Sequence, residues 1–137
     1  MEAPTRKHKP IVSVDHYDEI DGQYASKTDA MALSLGKAQY DKTGKELSLK
    51  VWRLADDGTW SRMSEELPIH RNLDLSILLV RTLLKGYNNQ SFLLTEDKIS
   101  LHKENGTIKE VMDYYESHKK FLEPRMKELK RLLEEWL

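Results

Sequence analysis

The sequence has no cysteine, which excludes disulfides, thiolate-bound metals and a cysteine nucleophile and fits a reducing compartment. It also lacks an excess of either charge. Twenty-two lysines and arginines stand against twenty-three acidic residues, for a formal net charge of −1. No global field therefore gathers DNA, RNA or an anionic membrane, and binding of that kind would need a local patch. No apolar run is longer than the four residues of ILLV at 77–80, far short of a signal segment or a membrane span. A glycine-rich phosphate loop, a GxSxG elbow and an HExxH helix are all missing, and the six glycines fit turns and element ends. These gaps argue against nucleotide hydrolysis and the commoner hydrolase designs.

What is present suits one self-sufficient fold. A chain of 137 residues buries roughly two thirds of its unfolded surface. Its apolar residues, 39% of the total against 33% charged, come in periodic blocks. Residues 1–10, with two prolines and the cluster Arg6, Lys7, His8 and Lys9, read as a flexible basic tail, and 11–137 as a single domain. The expected location is cytoplasmic.

IVSV at 11–14 predicts an edge strand, and Asp21-Gly22 a turn. Thr28 is placed to cap a helical turn through Met31, after which 33–40 reads as extended. In 46–54, Leu47, Leu49 and Val51 alternate with Ser48, Lys50 and Trp52, the period of a strand. Asp56-Asp57-Gly58 suits a tight hairpin loop, which sets Leu54 opposite Trp60 and Trp52 opposite Arg62. That register predicts a cluster of Trp52, Leu54 and Trp60, with the Arg62 guanidinium near the Trp52 ring.

The segment WSRMSEELPIHR at 60–71 joins this hairpin to a helix. Ser64 can cap a tight turn through Glu65, Glu66 and Leu67, and Pro68 suits a first helical turn. Ile69, Leu73, Ile77, Val80 and Leu84 then predict a core helix over 68–85. A second small hairpin is expected around 95–97. Thr107 and Glu110 have capping-box spacing ahead of a long helix, about 107–136, which Pro124 must kink or divide. Its apolar residues repeat at four-three spacing, as in a coiled-coil seam, interrupted once by Lys119. The fold class is α+β, a small, mainly antiparallel sheet with a central meander at about 33–63, packed by these helices.

Three places could carry a function. The first is a polar set, His16, Glu65, Glu66, His70 and Asp74, with His70 and Asp74 four apart on one helical face. A carboxylate there could orient an imidazole for general-base work or metal binding, although no spacing matches a specific metal site. Capping and ion pairing of Glu65 or Glu66 with Arg62 or Arg71 is the favoured reading. The second is the hairpin face of Trp52, Trp60 and Arg62, an aromatic and basic surface on which single-stranded bases could stack; core packing is the alternative. The third is the seam residues Met126, Leu129, Leu133 and Trp136, which could meet a second copy or a partner helix, or pack on the protein itself.

LSLGKAQYD, LKVWRL, WSRMSEELPIHR and LDLSILLVRTL, within residues 11–85, resemble a family of small uncharacterised bacterial proteins. In that family a tryptophan-serine-arginine strand runs through acidic residues and a proline into an apolar helix. The resemblance implies no activity and transfers no functional residue. The leading expectation is a non-enzymatic interaction or accessory protein, needing no cofactor, that forms a homodimer or binds a partner protein through its last helix. A small metal-dependent or hydrolytic enzyme is second, and a single-stranded nucleic-acid binder third.

Overall fold

The computed structural model describes residues 8–61, 65–84, 92–93 and 99–137. The chain forms two compact units, 1–74 and 75–137, each described by itself.

The first unit is an antiparallel meander of β1 (Lys9–Asp15), β2 (Ala30–Lys37), β3 (Leu47–Arg53) and β4 (Glu66–Pro68), in the order β1-β2-β3-β4. It is wider at both ends than the sequence suggests. The edge strand begins at Lys9, and His8 is wholly buried, so these two residues of the expected tail belong to the sheet unit. No helical turn forms at Thr28. Its hydroxyl instead accepts the Ala30 N–H at 3.1 Å, and Ala30 opens β2. Glu66, Leu67 and Pro68 form no tight turn and no helical turn; they pair with Lys50, Leu49 and Ser48. Proline is tolerated there because β4 is an edge strand.

Side chains alternate across each strand. One face carries Ala32, Ser34 and Gly36 of β2 beside Trp52, Lys50 and Ser48 of β3. The small residues Ala32 and Ser34 are buried, which leaves room above them for the Trp52 indole and the His8 imidazole, 5.8 Å apart edge to face. The opposite face carries Leu33, Leu35, Leu49, Val51 and Leu67 and lines an apolar cleft of about 430 Å³. Gly36 has a steric reason to be glycine. β1 bulges between Pro10 and Val12, and a side chain on Gly36 would run into the Lys9 carbonyl and the Pro10 backbone.

The hairpin register matches expectation. Leu54 bridges Trp60, Gly58 has φ of 84°, and the Trp52 and Trp60 rings meet edge to face at 5.7 Å. Arg62 lies outside the described residues. The cation found on the Trp52 ring is Lys50, its ammonium 3.9 Å from the ring centroid.

Helix α1 (Ile69–Leu83) follows β4 directly and crosses from the first unit into the second. It carries the expected apolar stripe, yet none of its residues is buried, and Leu73 and Leu75 are about half exposed. The expected second hairpin falls largely outside the described residues, as do Ser64 and Gly86.

In the second unit, α2 (Ile108–Ser117) and α3 (Lys119–Trp136) divide the long helix. Thr107 caps α2, its hydroxyl accepting the Glu110 N–H at 3.2 Å. The division comes at His118, with φ of −112° and ψ of 16°, six residues before Pro124, which lies inside α3. The His118 ring stacks on Tyr114 at 4.0 Å and donates from Nδ1 to the Tyr114 carbonyl at 2.8 Å. The same carbonyl also accepts the His118 backbone N–H at 3.1 Å, so ring and backbone share one acceptor at the end of α2. Along α3 run the pairs Glu123–Lys127 at 2.8 Å and Lys130–Glu134 at 4.0 Å, each four residues apart.

Candidate functional site

The most developed polar cluster lies on the Trp52 face of the sheet and includes three residues the sequence reading passed over. Its centre is His8, with no exposed surface. Nε2 lies 2.9 Å from Ser34 Oγ and Nδ1 lies 2.8 Å from Ser48 Oγ. Trp52 Nε1 donates to Ser34 Oγ at 2.9 Å, and Ser48 Oγ donates to Glu66 Oε2 at 2.7 Å.

The protons in this chain are fixed from both ends. Ser48 has one hydroxyl proton, and the Glu66 carboxylate takes it, so Ser48 can only accept from His8. Nδ1 of His8 therefore carries its hydrogen, and in the neutral ring Nε2 is the acceptor. Ser34, accepting from the indole, then gives its own proton to Nε2. Burial pushes the His8 pKa below its ordinary value, outweighing the upward pull of Glu66. Glu66 Oε2 stands 3.5 Å from Nδ1, beyond hydrogen-bond length, so the Ser48 hydroxyl mediates between ring and carboxylate.

Glu66 also accepts the Gln39 N–H on Oε2 at 3.0 Å. Its side chain is 5% exposed, and Oε1 has no hydrogen-bond partner among the described residues. A hydroxyl beside an imidazole is the raw material of nucleophilic catalysis, but a nucleophile must be reachable by its substrate. Ser34 and Ser48 are both buried. The chemistry available is proton exchange along an enclosed chain of hydrogen bonds.

Within the expected polar site, the two glutamates take different partners. Glu65 and Glu66 are neighbours at the start of a strand and so face opposite ways. Glu66 enters the buried chain, while Glu65 forms a two-oxygen pair with Arg53, at 2.7 Å to Nη2 and 3.0 Å to Nε. Arg53 also holds Asp29 at 2.6 Å. The partner of Glu65 among the described residues is thus Arg53, with Arg62 lying outside them, and those hydrogen bonds hold the Glu65 carboxyl below its ordinary range. His16 sits in a left-handed conformation, with φ of 57°, in the turn after β1, and His70 and Asp74 lie on α1. Among the described residues no three histidines or carboxylates gather to hold a metal ion.

On the hairpin, Trp52 is buried and hydrogen-bonded, and Lys50 lies over its ring. On α3 the seam is open. Leu129 is 43%, Leu133 44% and Trp136 85% exposed, and Met126 is half-buried.

The alternation of small residues in β2 was the available signal for the buried site: Ala32, Ser34 and Gly36 leave space on one face, and Ser48 falls on that same face. His8 gave no signal of its own within a basic run.

A family model described as a family of unknown function, DUF6530, matches residues 1–137. The chain belongs to that family. The match reaches beyond the segment 11–85 that carries the resemblance and takes in His8 and all of α3. No curated protein and no solved structure matches the chain. Membership thus brings no reaction or ligand with it. Among the described residues no helix is long and apolar enough to cross a membrane.

Proposed function

We propose that the protein is an interaction module that self-associates through α3. The observation that carries this reading is the exposure of Leu129, Leu133 and Trp136 along one line of the helix. These residues and Met126 are spaced 126, 129, 133, 136, the pattern that turns successive side chains toward one neighbouring helix. Large apolar side chains in a row at a helix surface mark an interaction site more often than a solvated face. The ion pairs of Arg131 with Glu128 and Glu135 on the other side of α3 keep that side in water and give the helix two distinct faces.

The polar residues support a catalytic reading less well. His8 and Ser48 have no exposed surface, and Glu65 is engaged by Arg53. The buried Trp52 likewise offers no open ring on which a base could stack.

Native mass spectrometry and light scattering of the purified chain test the proposal. The expected result is a dimer, and Leu129→Glu with Leu133→Glu should give a monomer whose circular dichroism and thermal transition match the parent. A parent that stays monomeric at tens of micromolar, or a double variant that unfolds, would overturn it.

A further inference from the structure

The charges along α3 bear on how two copies meet, an inference that rests on the self-association reading above. With Met126 and Leu133 at one seam position of the heptad and Leu122, Leu129 and Trp136 at the other, Lys119 also falls in the seam. Glu123 and Lys130 flank the seam on one side, and Arg125 and Leu132 on the other.

A parallel, in-register pair would set Lys119 directly against Lys119 of the second copy. It would also bring Arg125 of each copy beside Lys130 of the other. All three contacts join like charges, which coiled coils avoid at seam and flanking positions.

An antiparallel pair behaves differently, because the two kinds of seam position then share a layer. In the register that overlaps α3 from Lys119 to Trp136, Leu122 faces Leu133 and Met126 faces Leu129. Glu123 comes beside Lys130 of the second copy, twice by symmetry, and the Arg125 stem covers Leu132, itself 46% exposed. Lys119 meets Trp136, so the one charged residue in the seam finds an indole face for its ammonium.

We infer that α3 pairs with α3 of a second copy antiparallel in this register, with Lys119 of each chain seated on Trp136 of the other. The interface is isologous, as a two-fold dimer requires. Lys119 is thereby a residue that selects orientation. The indole at 85% exposure, the most exposed of the seam side chains, is what it recognises.

The absence of cysteine makes the test direct. Leu122→Cys and Leu133→Cys are prepared separately and oxidised alone and mixed, with native mass spectrometry of each before oxidation. A disulfide needs Cα atoms within about 7 Å, and in the antiparallel register like cysteines lie about 16 Å apart along the axis, eleven residues at 1.5 Å each. The expected result is a covalent dimer in the mixture and at least a tenfold lower yield from either variant alone. Efficient cross-linking of each variant with itself would overturn the antiparallel register while leaving self-association intact. Dimers that cross-link in no combination would move the interface off α3, and monomers throughout would remove both readings. As a second measurement, Glu123→Lys should weaken the dimer at least tenfold and the added Lys130→Glu should restore it. Equal affinity across the three proteins would overturn the register independently.

Discussion

Ser48→Ala is the sharpest test of the buried chain of hydrogen bonds, because one hydroxyl there serves two neighbours. It accepts from His8 Nδ1 at 2.8 Å and donates to Glu66 Oε2 at 2.7 Å. Removing it strands the imidazole N–H where water does not reach, since His8 and Ser48 are both wholly buried. An orphaned buried donor costs about 1–3 kcal/mol, and a hydrogen bond to a carboxylate contributes about 1.5–3 kcal/mol. The two effects overlap, because Oε2 keeps the Gln39 N–H. The expected loss is therefore about 2–4 kcal/mol. Urea unfolding followed by tryptophan fluorescence reads it, since Trp52 is buried and joined to the same chain. With a slope of about 2 kcal/mol per molar, the midpoint should fall by about 1–2 M. Ser13→Ala is the control: that hydroxyl bonds Asp15 at an exposed site, and its loss should stay within about 0.5 kcal/mol. If the two variants lose the same stability, the network has no structural weight and the argument fails.

Three further outcomes follow from the same geometry. His8 is held neutral by burial with its pKa below the ordinary value of about 6.5, so the unfolded chain takes up a proton before the folded one does. Stability should fall as pH is lowered through that value; in His8→Asn this part of the slope should vanish, and an unchanged or opposite slope in urea midpoints from pH 8 to 5 would refute it. Gly36→Ala forces a methyl into the Lys9 carbonyl and within 2.7 Å of the Pro10 Cα, so β1 must lift at its bulge, at about 1–3 kcal/mol; amide exchange of β1 should quicken far more than that of β3. Asp41 is held at about 2 by the Thr43 hydroxyl and by backbone N–H groups of Glu46, Thr43 and Lys45. Its contribution is full above the unfolded value of about 3.9 and disappears as pH falls toward 2, so Asp41→Ala should flatten the acid limb of the stability curve.

What could be read in the sequence followed rules that act over a few residues. The Leu54–Trp60 register came from the demands of the Asp-Asp-Gly loop, and the Thr107 cap from its spacing to Glu110. Misreadings arose where one local pattern fits two structures. Glu66-Leu67-Pro68 suits a helix start as well as a short edge strand, and only pairing with β3, about eighteen residues away, decides between them. Pro124 is the conventional helix breaker, but the division falls at His118, whose ring and backbone N–H both reach back to the Tyr114 carbonyl. The buried site was least legible, because its hydrogen-bonded partners are separated by as many as 40 residues and meet only once the meander has formed.

That separation gives the buried chain a role that its composition alone does not suggest. His8 precedes β1, Ser34 belongs to β2, Ser48 and Trp52 to β3, and Glu66 to β4, so every strand of the sheet contributes to one run of hydrogen bonds or adjoins a residue that does. A strand that slips by one residue turns its side chains to the opposite face. A slip of β2 would replace Ser34 by Leu33 or Leu35, leaving Trp52 Nε1 and His8 Nε2 without partners, and a slip of β4 would swap Glu66 for Glu65 or Leu67. On the leucine face the same slip loses apolar burial, as Leu33 and Leu35 give way to Ala32, Ser34 and Gly36. In the polar chain, where each hydroxyl both accepts and donates, a single displaced member orphans two others. The Trp52 face thus specifies pairing while the leucine face contributes apolar burial. β1, a bulged edge strand with Ile11 and Val12 largely exposed, is the strand that depends most on His8 for its register.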